Sequence, residues 1–292
     1  MPERPCVSVV IPTRNRRARL ERALRSVLAQ TWRPLEVIVI DDASTDETST
    51  LLSPLQTDGV RWRCLRNETP KGGAAARNQG IATATGTAVA FLDDDDTWLP
   101  EKIERQMAML AERPEAVAVT CSYLVSTPGR PDHVVRPDGR ADEQHLLWAN
   151  DLGGASVCLS PTGRLRSIGG FDATLPSAQD WDLWIRLREL GPIAVCQDAL
   201  VRYDRHDGPR ISTNTPAMYV GRRKVFFRYR AHMSAETHDL ALALLLSCRF
   251  VAGRPHAKAA LVLCRRCCAL VSARRQMRIL VSTARMWRRV VA

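Results

Sequence analysis

Four consecutive aspartates, residues 93–96, follow the short apolar run Phe91–Leu92. Neighbouring carboxylates repel one another, and this repulsion is costly unless a cation screens it. The alternative is a solvated acidic loop in front of a helix that we predict from Pro100. Because a buried run delivers the aspartates to a strand end, we favour a divalent-cation site. Ligands that are all oxygen atoms favour Mg²⁺ or Mn²⁺ over zinc.

Polar residues also follow two earlier apolar runs. The first run leads into Pro12, Thr13, Arg14 and Asn15, and the second into Asp41 and Asp42. A single aspartate after a strand is usually a helix N-cap, and we expect Ser44 or Asp46 to have that role here. The remaining polar groups are then available at the same edge of a sheet.

A glycine-rich segment, Lys71–Asn78, opens a third predicted helix. Its small residues would allow either close helix–sheet packing or the approach of an anion to the helix N-terminus. Arg77 at its end could reach a base or a diphosphate. The segment alone does not distinguish packing from binding.

Asp180 comes directly before a predicted helix whose Trp181 and Trp184 fall on one face. A carboxylate next to an aromatic wall could act as a general base. Either Asp180 or Asp182 could instead be a helix cap or a surface charge. From spacing alone, these interpretations are equal.

The elements that position these groups alternate between strands and helices. Between the predicted strands lie amphipathic helices at Arg16–Gln30, Asp46–Leu55, Gly73–Ala84 and Pro100–Glu112. This alternation predicts an α/β fold with a mostly parallel sheet, in which ligands bind outside the carboxyl ends of the strands. The predicted strands are Cys6–Ile11, Leu35–Ile40, Val60–Leu65, Thr87–Leu92 and Ala116–Leu124.

The second half of the chain is more irregular. Residues 126–145 read as a surface loop or hairpin, and residues 204–216 as another loop. Between them we predict a helix at Trp181–Leu190 and a strand at Ile193–Gln197. Beyond Pro216 the pattern is helical.

Charge divides the chain at the same place. The formal net charge is +11 over 292 residues, but residues 1–216 are net acidic and residues 217–292 are strongly basic. We therefore predict a catalytic domain at 1–216, with halves 1–125 and 126–216, and a basic helical extension at 217–292. The 45% hydrophobic content excludes a wholly disordered chain. The acidic first part, without interleaved basic and aromatic residues, argues against nucleic-acid binding.

The sequence predicts a cytoplasmic protein with reduced thiols. The first residues lack the apolar core of a signal peptide, and the apolar stretch Leu240–Cys248 is too short to span a bilayer. Helical packing explains the cluster Cys264, Cys267 and Cys268 at least as well as a metal site.

Five ordered motifs between Val7 and about His206 together resemble family 2 glycosyltransferases, the inverting group with a GT-A fold. They are VSVVIPTRNRRARLERALRSVLAQT, VIVIDDASTDET, GGAAARNQGI, FLDDDDTWLPEKI, and GGFD followed by AQDWDLWIRL. The resemblance implies a GT-A-type sheet flanked by helices, with a C-terminal helical extension.

The resemblance also implies roles by position. Asp180 matches the catalytic base, although Gln179 stands where the family usually has Glu. Asp95 would bind the metal, and the late segment containing His206 can approach it. The residues matched to the nucleotide-sugar site are Pro12, Thr13, Asn15, Asp42, Arg77, Asp93 and Asp94.

The implied activity is transfer of a sugar, with inversion, from a nucleotide-sugar donor, with UDP favoured, to a saccharide or lipid-linked acceptor. Two alternatives stay open: a nucleotidyltransferase, and a non-catalytic sugar-nucleotide-binding protein with a basic interaction tail. From Met277 an apolar stripe opposes an arginine stripe. That helix would bind either an anionic membrane surface, making the protein peripheral, or the catalytic domain.

Overall fold

The computed structural model describes residues 4–52, 59–137, 143–205 and 214–251. These residues form two compact units. The first consists of 4–52, 59–137, 151–173 and 180–205, and the second of 143–150, 174–179 and 214–251. The predicted boundary at residue 216 stays a prediction, and the helix predicted after Met277 lies outside the described residues.

The first half of the chain alternates strands and helices. In chain order its elements are β1 (Val7–Thr13), α1 (Arg17–Leu28), β2 (Leu35–Asp41), a 3₁₀ helix (Glu47–Leu52), β3 (Val60–Arg66), α2 (Gly73–Thr83), β4 (Ala88–Phe91), β5 (Asp96–Trp98) and α3 (Lys102–Glu112).

The second half continues with β6 (Ala118–Thr127), β7 (Arg130–Val135), α4 (Glu143–Trp148), a 3₁₀ turn (Ala155–Val157), β8 (Leu159–Pro161), α5 (Thr162–Ser167), α6 (Gln179–Leu190), β9 (Ile193–Asp204), α7 (Thr215–Tyr229), a 3₁₀ turn (Arg230–His232) and α8 (Ala235–Val251).

The sheet of the first unit has a parallel part and a mixed part. Strands β3, β2, β1 and β4 are parallel neighbours in that order. Beyond β4 follow β8, β6, β9 and β5, where only the β6–β9 pair is parallel, and β7 pairs with β6. All residues of β2 and β4 are buried, as expected where helices cover both faces. The parallel part directs the ends of β1, β2 and β4 to one edge.

Two stretches of strand in the structure were not predicted. The predicted strand Ile193–Gln197 is in fact longer and continues as β9 to Asp204, through irregularities in its pairing with β6. The end of the aspartate run is itself a strand, because β5 pairs antiparallel with residues 201–203 of β9. Both differences arise from pairing between distant segments, which local periodicity does not report. The segment 126–145, predicted as a loop or hairpin, contains the end of β6, the turn and the strand β7 of a hairpin.

The described part of the second unit is helical. Phe226 of α7 packs with Ala241 and Leu245 of α8, and Trp148 of α4 lies against this cluster. In the described ranges, no helix is long and apolar enough to cross a membrane.

Candidate functional site

The ends of β1 and β4 are joined by side chains. The hydroxyl of Thr13 donates a 2.8 Å hydrogen bond to Asp94, and both residues are buried. Pro12, the residue before Thr13, is partly buried in the same strand. Two groups predicted at strand ends thus lie together at the carboxyl edge of the sheet.

Arginines neutralise the aspartate run from two sides. Arg16 lies 2.7 Å from Asp94 and 3.3 Å from Asp95, and Arg77 forms an ion pair with Asp93. The sequence argument invoked a cation, and these guanidinium groups already supply positive charge at the run. Burial nevertheless raises the pKa of Asp94 to about 6, against the opposing effect of Arg16.

Asp96 departs from the rest of the run. Its carboxylate accepts a hydrogen bond from the hydroxyl of Ser156, whose oxygen in turn accepts one from the backbone N–H of Asp93 at 3.0 Å. Burial, with the neighbouring carboxylates of Asp93 and Asp95, raises the pKa of Asp96 well above its ordinary value. Ser156 thus fixes both ends of the acidic segment.

Asp42 holds the start of the glycine-rich segment. Its carboxylate accepts 2.8 Å hydrogen bonds from the side chain of Asn67 and from the backbone N–H groups of Lys71 and Gly72. Burial would raise the pKa of Asp42, but these hydrogen bonds outweigh it and lower the pKa. Asp42 thus fixes the position at which α2 begins.

Asn15 links the loops that follow β1 and β2. Its backbone lies in the left-handed region (φ 53°), its N–H donates to the Ser44 hydroxyl at 2.9 Å, and its side-chain oxygen accepts from the Thr45 N–H at 2.7 Å. Asparagine tolerates this conformation better than most residues. Asn15 therefore shapes the edge of the site.

Arg77 is the buried cation of the site. Its guanidinium lies 5.3 Å from the centre of the Phe171 ring, and a Cβ on Gly73 would lie 3.2 Å from the guanidinium. Burial disfavours its charge, yet Asp93 and Asp180 are close enough to raise its pKa. Gly73 therefore provides room for this side chain, in addition to allowing tight packing.

Asp180 and Asp182 differ sharply in environment. Asp182 is fully buried and pairs with Arg186 of the same helix at 2.7 Å. Asp180 lies inside α6, and its Oδ1 accepts a 2.9 Å hydrogen bond from the N–H of the next residue, Trp181. Burial raises the pKa of Asp180, and Trp181 and Arg77 oppose the shift. Of the two, Asp180 is the carboxylate close enough to Arg77 and Asp93 for their charges to affect its pKa.

Gly154 and Tyr203 lie beside Asp180. The Tyr203 hydroxyl accepts a 3.0 Å hydrogen bond from the Gly154 N–H. A Cβ on Gly154 would lie 3.1 Å from this hydroxyl and 3.7 Å from Oδ2 of Asp180. Burial is the largest cause that raises the pKa of Tyr203 well above its ordinary value, and the nearby carboxylate of Asp96 adds to it, so the hydroxyl stays neutral.

Sequence reasoning assigned no role to Arg16 or Ser156, and it included Tyr203 only as the first residue of the late segment that ends at His206. Arg16 follows the end of β1 by three residues, and this proximity to a strand end was a usable signal. Tyr203 lies two residues after Val201 in β9, so the alternation of a strand places both on one face. A longer predicted strand would have included this pattern. Ser156 lies in a 3₁₀ turn and carries no local signal.

A divalent cation fits the donor set of this edge. The side chains of Asp93 and Asp95 remain 32% and 16% exposed, and their oxygens are hard donors. Across the described ranges, no three His, Cys, Asp or Glu side chains are grouped to hold a metal ion by themselves. Mg²⁺ is commonly held by one or two carboxylates together with substrate phosphates, which matches this set. His206, predicted as a further ligand, lies outside the described residues.

Comparison with known proteins decides the family. Residues 8–161, just over half of the chain, match the family model described as glycosyl transferase family 2. The chain belongs to this family. The resemblance seen in the sequence is thereby confirmed, and so is the enzyme class of glycosyltransferase.

Curated relatives in the family are similar over most of the chain. TuaG of Bacillus subtilis, a putative teichuronic acid biosynthesis glycosyltransferase, is 30% identical over 230 residues, which cover 78% of this chain and 88% of TuaG. An uncharacterized glycosyltransferase of Rickettsia typhi is 30% identical over 72% of this chain and 67% of its own length. A shorter match, 38% identical over 36% of this chain and 40% of the relative, is with the Escherichia coli glucosyltransferase WfgD.

Solved structures confirm the GT-A-type fold. Staphylococcus aureus TarS 1–349 in complex with UDP-GlcNAc has a TM-score of 0.69 at 20% identity, covering 91% of this chain and 83% of that one. The Pyrobaculum calidifontis mannosyltransferase PcManGT, in complex with GDP-Man and Mn²⁺, has a TM-score of 0.58 at 21% identity, covering 97% and 87%. The predicted α/β class with a central sheet flanked by helices is therefore correct.

Proposed function

We propose that this glycosyltransferase moves a sugar, with inversion, from a nucleoside diphosphate sugar to an acceptor hydroxyl. The observation that carries the proposal is the position of Arg77, which pairs with Asp93 and also lies close enough to Asp180 to be influenced by its charge. The acidic segment and the candidate base come from distant parts of the sequence. The buried guanidinium of Arg77 lies near both of them. The proposed donor site and the candidate base are therefore close together, as sugar transfer to a hydroxyl requires.

The proposed donor site is the carboxyl edge of the parallel strands. Arg16 and Arg77 are its cations, and their positions beside the acidic run suit a diphosphate better than a neutral ligand. UDP is the favoured nucleotide, because TarS structures contain UDP-GlcNAc or UDP and WfgD is named for UDP-Glc. The proposed donor residues are Pro12, Thr13, Asn15, Asp42, Arg77, Asp93 and Asp94.

In the proposed reaction, Asp180 accepts the proton of the acceptor hydroxyl. The hydroxyl oxygen forms a bond to the anomeric carbon from the face opposite the leaving group. The bond from that carbon to the diphosphate oxygen breaks, and its electron pair leaves with the diphosphate. A raised pKa makes Asp180 a stronger base than an exposed aspartate, while Arg77 favours its ionised form. One displacement inverts the anomeric configuration.

Asp95, together with Asp93, is the proposed ligand set for Mg²⁺ or Mn²⁺. A bound cation would neutralise charge that develops on the departing diphosphate. His206 stays a predicted additional ligand. The support for the choice of metal is the oxygen donor set, together with the Mn²⁺ complex of PcManGT.

The proposed acceptor is a saccharide or a lipid-linked saccharide used in cell-surface polysaccharide or glycolipid synthesis. TuaG is named for teichuronic acid biosynthesis, and the name of WfgD specifies a diphosphoundecaprenol-linked acceptor. An enzyme with such an acceptor would work at the cytoplasmic face of a membrane. The predicted peripheral binding through the helix after Met277 belongs to this proposal.

The test is to identify the products of the purified chain supplied with sugar nucleotides, Mg²⁺ or Mn²⁺, and saccharide acceptors. Sugar transfer releases a nucleoside diphosphate, whereas a nucleotidyltransferase would release pyrophosphate from a nucleoside triphosphate. A non-catalytic binding protein would be stabilised by the donor but form no product. Asp180→Asn should keep donor-induced thermal stabilisation and lose turnover by about 10²-fold or more. Near-normal turnover in this variant would refute the mechanism.

Asp182→Asn is the matched control for Asp180→Asn, because both are aspartates in the first turn of α6. Asp182 is buried and paired with Arg186. Asp182→Asn should therefore lower the melting temperature but leave the turnover of the folded enzyme nearly unchanged. Equal losses of turnover per folded molecule in both variants would count against a specific role for Asp180.

A further inference from the structure

Helix α7 presents two large apolar side chains to solvent. Val220 is 41% exposed and Phe227 is 48% exposed, seven residues apart and therefore on one side of the helix. The opposite side carries Val225, Phe226 and Tyr229, which are buried within the described structure. The apolar exposure is thus confined to one stripe.

Two arginines flank the same stripe. The guanidinium groups of Arg223 and Arg230 lie 5.6 Å and 5.1 Å from the centre of the Phe227 ring. In the part of the chain that the structure describes, no carboxylate lies within ion-pair distance of either arginine. We call Val220, Arg223, Phe227 and Arg230 the Phe227 face.

The charge of this face selects an anionic partner. The sequence has no acidic residue between Asp207 and Glu236, and none after Asp239. The sequence that follows α8 is therefore basic and contains no carboxylate side chain that could pair with Arg223 or Arg230. A partner must bring negative charge from outside this part of the chain.

The apolar residues distinguish between anionic partners. A nucleic-acid base would need a free face of the Phe227 ring, but two guanidinium groups already lie against that ring. An anionic bilayer offers phosphate groups to arginines and an apolar layer just below them to Val220 and Phe227. The combination therefore favours a lipid surface.

We propose that the Phe227 face docks on an anionic phospholipid surface, with Phe227 and Val220 entering the boundary between headgroups and acyl chains. Arg223 and Arg230 contact lipid phosphates. This proposal rests on the proposed function and extends it, because a lipid-linked acceptor would be presented at the surface on which the enzyme docks. It adds a second contact to the helix predicted after Met277.

The test measures binding of the full-length chain to vesicles of phosphatidylcholine with roughly 30 mol % phosphatidylglycerol. Phe227→Ala and the pair Arg223→Gln/Arg230→Gln should each lower the partition coefficient by about tenfold. Phe227→Leu, which keeps an apolar side chain, should retain most binding. Melting temperatures verify that each variant is folded.

Matched controls separate the local face from general properties. Leu190→Ala removes an equally exposed apolar side chain (40%) on α6. Arg105→Gln/Arg113→Gln removes two positive charges, as the Arg223/Arg230 pair does, from α3 and from the residue that caps its C-terminus. Both controls should bind vesicles within about twofold of the unchanged chain.

Three outcomes would overturn the proposal. They are no loss in the face variants, an equal loss in both arginine pairs, or a loss confined to binding of a single-stranded oligonucleotide. Donor-induced thermal stabilisation and transfer to a soluble saccharide should be unaffected in the face variants. If the chain transfers no sugar at all, the proposed function fails while vesicle binding still tests the face separately.

Discussion

The Tyr203 hydroxyl accepts a 3.0 Å hydrogen bond from the backbone N–H of Gly154. The hydrogen bond holds the backbone of Gly154, which lies beside Asp180 in space and has no side chain. The backbone of Gly154 has φ −80° and ψ −173°, which any residue can adopt. Glycine at this position is therefore explained by space beside the carboxylate and not by backbone strain.

Gly154→Ala should lower turnover while preserving donor binding and the fold. The added methyl group would lie 3.1 Å from the Tyr203 hydroxyl and 3.7 Å from Asp180 Oδ2, where the acceptor hydroxyl must approach. We expect a loss of about tenfold in kcat/KM for the acceptor, since small displacements near reacting atoms are costly. Steady-state kinetics and donor thermal shifts measure the two effects.

The control for this substitution is Gly163→Ala in α5, where an added Cβ meets no heavy atom within 4 Å. It should leave transfer unchanged and slightly raise stability, because alanine is the better helix former. Unaltered acceptor kinetics in Gly154→Ala would show that the space beside Asp180 is not used by the acceptor.

The pH dependence of transfer should report the pKa of Asp180. A general base must be deprotonated, so kcat/KM falls as the pH falls through its pKa. Because burial raises that pKa, the acid limb should lie above 3.8, the ordinary value. The measurement is the initial rate over a pH range in which circular dichroism shows the protein folded.

Asp180→Asn provides the comparison for this profile, because the amide cannot titrate. Its residual activity should lack the acid limb of the unchanged enzyme. The same limb in both proteins would assign the titration to another group.

Removal of the divalent cation should abolish donor-induced stabilisation. Asp95 is partly exposed beside Arg16, and without a cation this edge has fewer positive charges to hold a diphosphate. We expect EDTA to eliminate the thermal shift caused by UDP-sugars, and Asp95→Asn to reduce it even with excess Mn²⁺. Isothermal titration calorimetry provides an independent measure of affinity.

Asp198→Asn serves as the control for Asp95→Asn, since Asp198 is an exposed aspartate of β9 whose nearest cation is Arg105 at 3.9 Å. Its donor affinity should match that of the unchanged chain. Equal donor affinity in EDTA and in Mn²⁺ would contradict the cation proposal.

Lys102→Met should stabilise the fold at neutral pH. The ammonium of Lys102 is fully buried, has no hydrogen-bond partner among the described residues, and lies 3.9 Å from the centre of the Trp98 ring. Burial lowers its pKa from 10.5 to about 8. Removing the buried charge should raise the free energy of unfolding by about a few kcal/mol at most. The gain is limited because the substitution also removes the cation–π contact with Trp98.

The same pKa fixes how this stabilisation varies with pH. Below about pH 8 both folded and unfolded states carry the proton, and the folded state is penalised for it. As the pH rises from about 8 to 10.5, the unchanged protein should gain stability and approach the variant. Urea unfolding at several pH values measures this gain. Arg105→Met on the exposed side of α3 keeps Lys102, so its difference in stability from the unchanged protein should not vary over this pH range. A constant difference across that range would contradict the lowered pKa.

The parallel part of the fold could be predicted because its information is local. Buried strands such as β4 are continuous apolar runs, and each is bounded by turn residues or by the amphipathic repeat of a helix. The groups at the strand ends follow directly from this order. Thr13 and Asp94, which the sequence placed at the same edge of the sheet, are hydrogen-bonded.

The partners of these groups could not be predicted in the same way. Asp93 pairs with Arg77 and Asp96 with Ser156, and both contacts depend on how distant segments pack. By helical spacing, Asp182 and Asp180 were equally good candidates for a cap or a surface charge. In the structure Asp182 is buried and pairs with Arg186 of the same helix. Burial of a charged residue depends on what covers its helix, which the sequence of that helix does not contain.

The aspartate run is attached to the sheet at both ends. The N–H of Leu92 donates to the carbonyl of Val10 in β1 at 3.0 Å, whereas Asp96 is paired with Tyr203 in β9. Inserting or deleting a residue between these two attachments would displace one strand by a register step, and in a strand such a step turns alternate side chains to the other face. The sheet therefore constrains the number of residues in this segment, independently of the site that constrains their identity, so homologues should lack gaps here even where a residue is substituted.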